Sequence, residues 1–182
     1  MGLDWAVTGS GRSGTSFVAK VLMDNGVCMG KRLDVQTSEK HLYGNREDKD
    51  MLRAHVQLLS RRMSPEAWLE KWQGLHRKCK GPCGIKQPDM AFFDLDDWEV
   101  IKPRRLIWCW RKPRQVTESM IRCGALDRIW RIHPAQRRLE RLLDVGKVTV
   151  LDMSERRSSE WVLDAVNFPR PKGSGKMENV DE

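Results

Sequence analysis

One stretch constrains the fold of this chain more than any other: Gly9-Ser10-Gly11-Arg12-Ser13-Gly14-Thr15-Ser16. It follows a short strand-like segment, Leu3 to Thr8 (L-D-W-A-V-T). It precedes Phe17, Val18, Val21 and Leu22, which share one face of a helix that Asn25-Gly26 closes. Strand, glycine-rich turn and helix in direct succession form a phosphate-sized loop. Successive backbone N–H groups at a helix N-terminus make a concave anion site. Glycines let the backbone close on a tetrahedral oxyanion group. Ser13, Thr15 and Ser16 add hydroxyl donors, and Arg12 adds a planar charged fork.

Gly9 and Gly14 have the spacing of a Walker A loop, but Thr15 stands where its lysine belongs. That lysine reaches the terminal phosphates in nucleotide hydrolysis and kinase chemistry, so its absence argues against both. A dinucleotide fingerprint fares no better, because Asp34, the acidic residue at the right distance, lies in unpatterned chain. Charge points the same way as the loop. The chain has 182 residues, with 33 Lys and Arg against 25 Asp and Glu and a formal net charge of +8. This excludes an acidic solvating protein and favours an anionic partner: phosphate, sulfate, nucleic acid or an acidic membrane face. No apolar run approaches the roughly 18 residues of a spanning helix. Periodicity that begins by Leu3 leaves no room for a signal peptide, so the expected compartment is the cytoplasm.

Further along, Met51 to Arg62 recurs at helical spacing, and Ser64-Pro65-Glu66 reads as an N-cap with proline at the first helical position. A short strand ends at Ile85-Lys86. Leu106 to Trp110 is a continuous apolar run, best read as a buried parallel strand. Pro113 then opens a helix carrying Val116, Met120 and Cys123. Leu126 to Leu143 reads as one long amphipathic helix, Val148 to Leu151 as a strand, and Ser158 or Ser159 as the start of a last helix. Strands alternating with helices predict an α/β fold with a mainly parallel sheet. Residues 1–169 are expected to form a single domain, and residues 170–182 a flexible tail.

The five cysteines are odd in number, and a disulfide framework is not expected. Only Cys79 and Cys83 are close, as C-K-G-P-C. Zinc would want a second pair of ligands at short spacing, and His76 is the only nearby addition, so reduced thiols are the better reading and no metal is expected.

The loop G-R-S-G-T-S at 11–16, directly after the first strand, resembles the phosphosulfate loop of sulfotransferases that use 3′-phosphoadenosine 5′-phosphosulfate (PAPS). Further blocks follow in the order of the bacterial-type family. Y-G-N-R-E-D at 43–48 is similar to its glycine–Glu-Asp block, and G-I-K-Q-P-D at 84–89 to its K-x-P segment. R-L-I-W-C-W-R-K-P-R-Q-V-T-E-S at 105–119 resembles the strand, R-x-P turn and serine-bearing helix that hold the 3′-phosphate. V-T-V-L-D-M-S-E at 148–155 and N-F-P at 167–169 complete the likeness. The resemblance implies a three-layer α/β/α fold related to the P-loop NTPases. It implies that Gly11, Arg12, Ser13, Gly14, Thr15 and Ser16 hold the 5′-phosphosulfate, and that Arg111 and Ser119 hold the 3′-phosphate. Independently of the family, Arg111 sits at the C-terminal end of a buried strand, where α/β proteins place their ligands.

The implied reaction moves a sulfuryl group in line to a hydroxyl or amine of a small-molecule or glycan acceptor through a loose transition state. Positive charge at the leaving 5′-phosphate, from Arg12, Lys86 and loop N–H groups, then suffices without a metal. Cytosolic animal sulfotransferases carry a histidine base two positions after the lysine; here that position is Pro88. A carboxylate is the alternative, with Glu47 first and Asp48 second, and with Asp89 and His41 also in reach of the chemistry. The late R-K-G-x-x-G-D-W segment of the family is absent, and P-K-G-S-G-K at 171–176 is only a faint echo. Two other readings stay open. V-T-V-L-D at 148–152 can pass for a Walker B strand with Asp152 on magnesium. Arg128, Arg131, Arg137, Arg138 and Arg141, with eight tryptophans available for stacking, can suit nucleic acid, but Trp108 and Trp110 sit in an expected buried strand and no nucleic-acid motif appears, so no nucleic acid is expected.

Overall fold

A computed structural model describes residues 2–30, 33, 47–144, 146, 148–155 and 157–169. The expected tail at 170–182, the echo at 171–176, His41 and residues 43–46 of the Glu-Asp block lie outside the described residues.

Four parallel strands form the sheet in the order β2-β1-β3-β4, where β1 is Trp5–Thr8, β2 Gly84–Lys86, β3 Arg105–Trp110 and β4 Val148–Asp152. The first strand lies in the middle, and its register sets the site: Val7 pairs with Lys86 on one side and Thr8 with Trp108 on the other. Parallel strands need crossovers, and helices supply them. They are α1 (Thr15–Asp24), α2 (Lys49–Leu59), α3 (Pro65–His76), α4 (Leu95–Ile101), α5 (Pro113–Cys123), α6 (Ile132–Asp144) and α7 (Ser159–Ala165).

Period-two alternation sends side chains to two cores. Ala6, Ile85, Leu106 and Trp108 face Met51, Leu58, Trp68, Trp72, Trp98 and Leu139 from α2, α3, α4 and α6. Trp5, Val7, Ile107, Cys109 and Leu151 face Val18, Leu22 and Val162 from α1 and α7. Helices therefore cover both faces, giving the expected α/β/α layering. The first core is aromatic, and it encloses a titratable side chain. His55 Nδ1 accepts a hydrogen bond from Trp68 Nε1 at 3.3 Å. Burial, with a smaller contribution from Lys71, pushes the pKa of His55 down to about 3, so the ring is neutral.

Three expectations need correction. The helix expected from Leu126 to Leu143 is two elements, a 3₁₀ turn at Leu126–Arg131 and then α6. Pro134 explains the break: it has no N–H to give, and its ring would clash with the Trp130 carbonyl of a continuous α-helix. Of the apolar positions assigned to that helix, Ile132, Leu139 and Leu142 are buried, while Leu126 and Leu143 are exposed. Between Lys86 and β3 the chain forms a 3₁₀ turn at Pro88–Phe92 and then α4, neither anticipated. Asp94 caps α4 in a reciprocal box with Asp97, and Arg61 bonds both carboxylates. Finally, Cys28 and Cys79 form a disulfide, with Cα atoms 6.3 Å apart across 51 positions. Short spacing along the chain could not show it, because the segment after α1 brings Cys28 to the start of β2.

Candidate functional site

The Gly9–Ser16 loop leaves the C-terminal end of β1 and opens α1. Close approach explains its first glycine: at Gly9, with φ 143°, a Cβ would sit 2.3 Å from the Cys109 carbonyl oxygen of β3. Gly14 is the N-cap of α1 at φ 96°, packed on Met153. Between them Arg12 adopts φ 69°, a left-handed conformation that costs a non-glycine residue about 1–3 kcal/mol. Left-handed residues interspersed in a turn direct backbone N–H groups toward a common concavity. Ser13 Oγ is fully buried in this turn and has no partner among the described residues. A buried hydroxyl without a partner costs about 1–3 kcal/mol, and an anion in the concavity would remove that cost.

Arg111 follows β3 directly, beside the loop, since β1 and β3 are neighbours. Pro113 fixes the start of α5, and Ser119 lies on that helix, buried. Arg12 Nε donates to Ser119 Oγ at 3.1 Å, so the loop and α5 meet. The side chain of Arg111 is partly exposed and donates through Nε to Gln115 Oε1 at 3.4 Å. Gln115 Nε2 in turn donates to the Ser154 carbonyl at 3.1 Å, which ties α5 to the turn after β4.

On the other side of β1, Lys86 ends β2 and is 2% exposed. Its Nζ donates to Glu47 Oε1 at 2.9 Å. Burial pushes the pKa of Lys86 down, and the Glu47 carboxylate opposes that shift. Cys109 faces the same buried space, where burial pushes its thiol up to about 12. Two hydrogen bonds stitch this edge to the loop strand: Gln87 N–H donates to the Val7 carbonyl at 3.1 Å, and Thr8 Oγ1 donates to the Gln87 carbonyl at 3.0 Å. Gln87 Oε1 is buried without a partner among the described residues. Gln87 belongs to no sequence pattern except its place after Lys86, and only the structure shows that unsatisfied oxygen.

The remaining candidates separate. Asp48 caps α2, with Oδ1 accepting from Asp50 N–H at 2.9 Å. Its Oδ2 lies 3.9 Å from His76 Nε2, deep in the protein. Asp89 pairs with Arg131 at 2.8 Å. Asp152 ends β4, with β3 between it and β1, and its Oδ1 accepts from Ser154 N–H at 2.8 Å. Of the tryptophans considered for stacking, Trp108 is buried and Trp110 half-buried, while Trp130 is exposed. The structure thus gathers Arg12, Ser13, Ser119 and Arg111 at one end of the sheet and sets the Lys86–Glu47 pair beside them, one strand over. No helix among the described residues is long and apolar enough to cross a membrane.

No family model and no curated protein matches the chain. A solved structure does: the sulfotransferase domain from the Synechococcus PCC 7002 olefin synthase, with a TM-score of 0.56 at 17% identity, over 90% of this chain and 72% of that chain. At that identity the likeness speaks to architecture: this chain has a sulfotransferase-like α/β fold.

Proposed function

We propose that the chain is a sulfotransferase that takes PAPS as donor and a hydroxyl or amine as acceptor. The observation that carries this reading is the 3.1 Å contact between Arg12 of the glycine-rich loop and Ser119 of α5. It sets the glycine-rich loop, which would hold the 5′-phosphosulfate, against the helix whose Ser119 would hold the 3′-phosphate with Arg111. Gly11, Arg12, Ser13, Gly14, Thr15 and Ser16 surround the phosphosulfate. Arg111 and Ser119 take the 3′-phosphate, with Ser119 exchanging its bond to Arg12 for one to the ligand.

In the transfer, the bond between sulfur and the 5′-phosphate oxygen breaks as a bond from sulfur to the acceptor oxygen or nitrogen forms. Negative charge grows on the leaving oxygen. Arg12, Lys86 and the loop N–H groups stabilise it by fixed positive charge, with no reorganisation needed at the moment of reaction. Glu47 takes the acceptor's proton. Its 2.9 Å bond to Lys86 fixes its orientation beside that lysine. The products are the sulfated acceptor and adenosine 3′,5′-bisphosphate.

Asp152 gives little support to a kinase-like reading, because it sits two strands from β1 and is engaged by Ser154. The test is a thermal shift with adenosine 3′,5′-bisphosphate against ATP plus magnesium, followed by turnover of PAPS with Glu47→Gln. The proposal expects stabilisation by the bisphosphate alone, intact binding in Glu47→Gln, and loss of its turnover. Stabilisation only by magnesium–ATP rejects it, and normal turnover by the Gln variant removes Glu47 as the base.

A further inference from the structure

Three of the five cysteines converge although they come from separate parts of the chain. Cys28 lies in the extended segment after α1, Cys79 just beyond α3, and Cys83 at the entrance to β2. Backbone pairing gathers them. Cys28 and Cys83 face each other across a parallel bridge, Cys28 N–H donates to the Pro82 carbonyl at 2.9 Å, and Gly84 N–H donates to the Cys28 carbonyl at 2.9 Å. Gly81, at φ 118°, makes the turn that returns the chain from Cys79 to Cys83. The three Sγ atoms all lie within 4.8 Å of one another.

A disulfide between Cys28 and Cys79 uses two of these sulfurs and leaves Cys83, fully buried against them, without a part. A tetrahedral thiolate site uses all three. With metal–sulfur bonds of about 2.3 Å, its sulfurs stand roughly 3.8 Å apart, inside the 4.8 Å that encloses the three Sγ atoms. Cys79 and Cys83 have the short spacing of a zinc-binding pair.

We propose that the reduced chain binds one zinc-class divalent ion through Cys28, Cys79 and Cys83, with solvent as the fourth ligand. Three thiols give up three protons as three metal–sulfur bonds form. The disulfide is the alternative state of the same sulfurs, and a phosphine reductant converts it to two thiols, taking up oxygen from water. The bound ion fastens the segment after α1 to the start of β2. That segment continues to Gly30, where a Cβ would sit 2.3 Å from Asp48 Oδ2, next to Glu47; β2 carries Lys86. The metal thus holds the backbone on both sides of the Lys86–Glu47 pair without touching it. This inference stands apart from the sulfotransferase reading.

The experiment reduces the 182-residue chain with a phosphine under argon and titrates it with Co²⁺, then Zn²⁺. One equivalent of Co²⁺ should give the near-ultraviolet sulfur-to-cobalt charge-transfer band and the visible bands of a tetrahedral site, both bleached by one equivalent of Zn²⁺. Cys83→Ser should weaken Co²⁺ binding by more than the roughly hundredfold that losing an outer-shell partner costs at most, and should lower the charge-transfer intensity. Cys123→Ser, outside the cluster, should change neither. Circular dichroism on the same samples reads folding; a reduced chain that folds only when metal is added supports the proposal. It is overturned by a reduced chain that takes up no Co²⁺, by one that stays unfolded with metal, or by Cys83→Ser binding as the parent does.

Discussion

The loop edge and the Lys86–Glu47 edge lie at the same end of one sheet, yet they hold positive charge in opposite ways. Arg12 and Arg111 are half-exposed guanidiniums, always charged, on a turn and at a strand end. Lys86 is buried, and Glu47 restrains the pKa drop that burial causes. The first arrangement suits binding, because its charges stay solvated until a ligand arrives. The second suits chemistry: its charge is strong because it is desolvated, and it persists because a carboxylate sits beside it. On the proposed reading, the nucleotide is held by the end of β3 and the loop after β1, and the acceptor's proton is taken at the end of β2, on the other side of β1.

The comparison breaks first at Gly9, where both edges depend on the packing of β1 against β3. Gly9→Ala should cost about 3 kcal/mol or more, since the new Cβ meets the Cys109 carbonyl at 2.3 Å and φ is 143°. Denaturant unfolding measures it, and a loss under about 1 kcal/mol would mean the loop does not press on β3. Next comes the buried edge. Glu47→Gln should destabilise by about 2–3 kcal/mol, somewhat below the loss for a fully enclosed pair because Glu47 is 23% exposed. Lys86→Met, which removes the buried charge itself, should cost less stability while still abolishing turnover. Equal stability losses in the two variants would mean that the ion pair is solvated.

His55 sharpens the contrast as a buried base whose charging is opposed by burial and, to a smaller extent, by Lys71, so its response to pH reports chiefly on burial. Its pKa falls from 6.5 to about 3 in the fold, so the unfolded chain binds the extra proton between those values. Stability is therefore complete above the unfolded value and is lost as pH falls below it. Between pH 7 and pH 5 the loss should be about 2 kcal/mol, and His55→Gln should flatten that part of the profile. A profile unchanged by the substitution would show that the ring titrates in the folded chain as it does in the unfolded one. The smallest effect belongs to the solvated edge: Ser119→Ala should cost about 1 kcal/mol of stability, since Arg12 can rehydrate. Its consequence should appear in bisphosphate affinity instead.

The same contrast separates what was legible in the residues from what was not. Gly9 to Ser16, Pro65, Pro113 and the apolar run at β3 are local signals, and the structure places each element within a few residues of the expected span. The neighbourhood of Arg12 and Ser119 followed from topology, because adjacent strand ends bring them together. Lys86 and Glu47 were named from a resemblance, but their ion pair is a long-range fact that no spacing encodes. Cys28 was missed as a partner for the same reason: its bridge to Cys83 brings it beside Cys79, 51 positions further along the chain. Asp94 escaped because its box partner is Asp97 rather than the usual longer Glu or Gln. Pro134 was overlooked as a break because the apolar spacing continued through it.

The central claim is that one nucleotide spans the glycine-rich loop and Arg111. Calorimetric titration of adenosine 3′,5′-bisphosphate and adenosine 5′-monophosphate, in the parent chain and in Arg111→Ala, tests it directly. The account predicts that the parent prefers the bisphosphate at least tenfold, about 1.4 kcal/mol, and that Arg111→Ala erases the preference while leaving the monophosphate unchanged. Equal affinity of the parent for both nucleotides, or a preference that survives in Arg111→Ala, would contradict it.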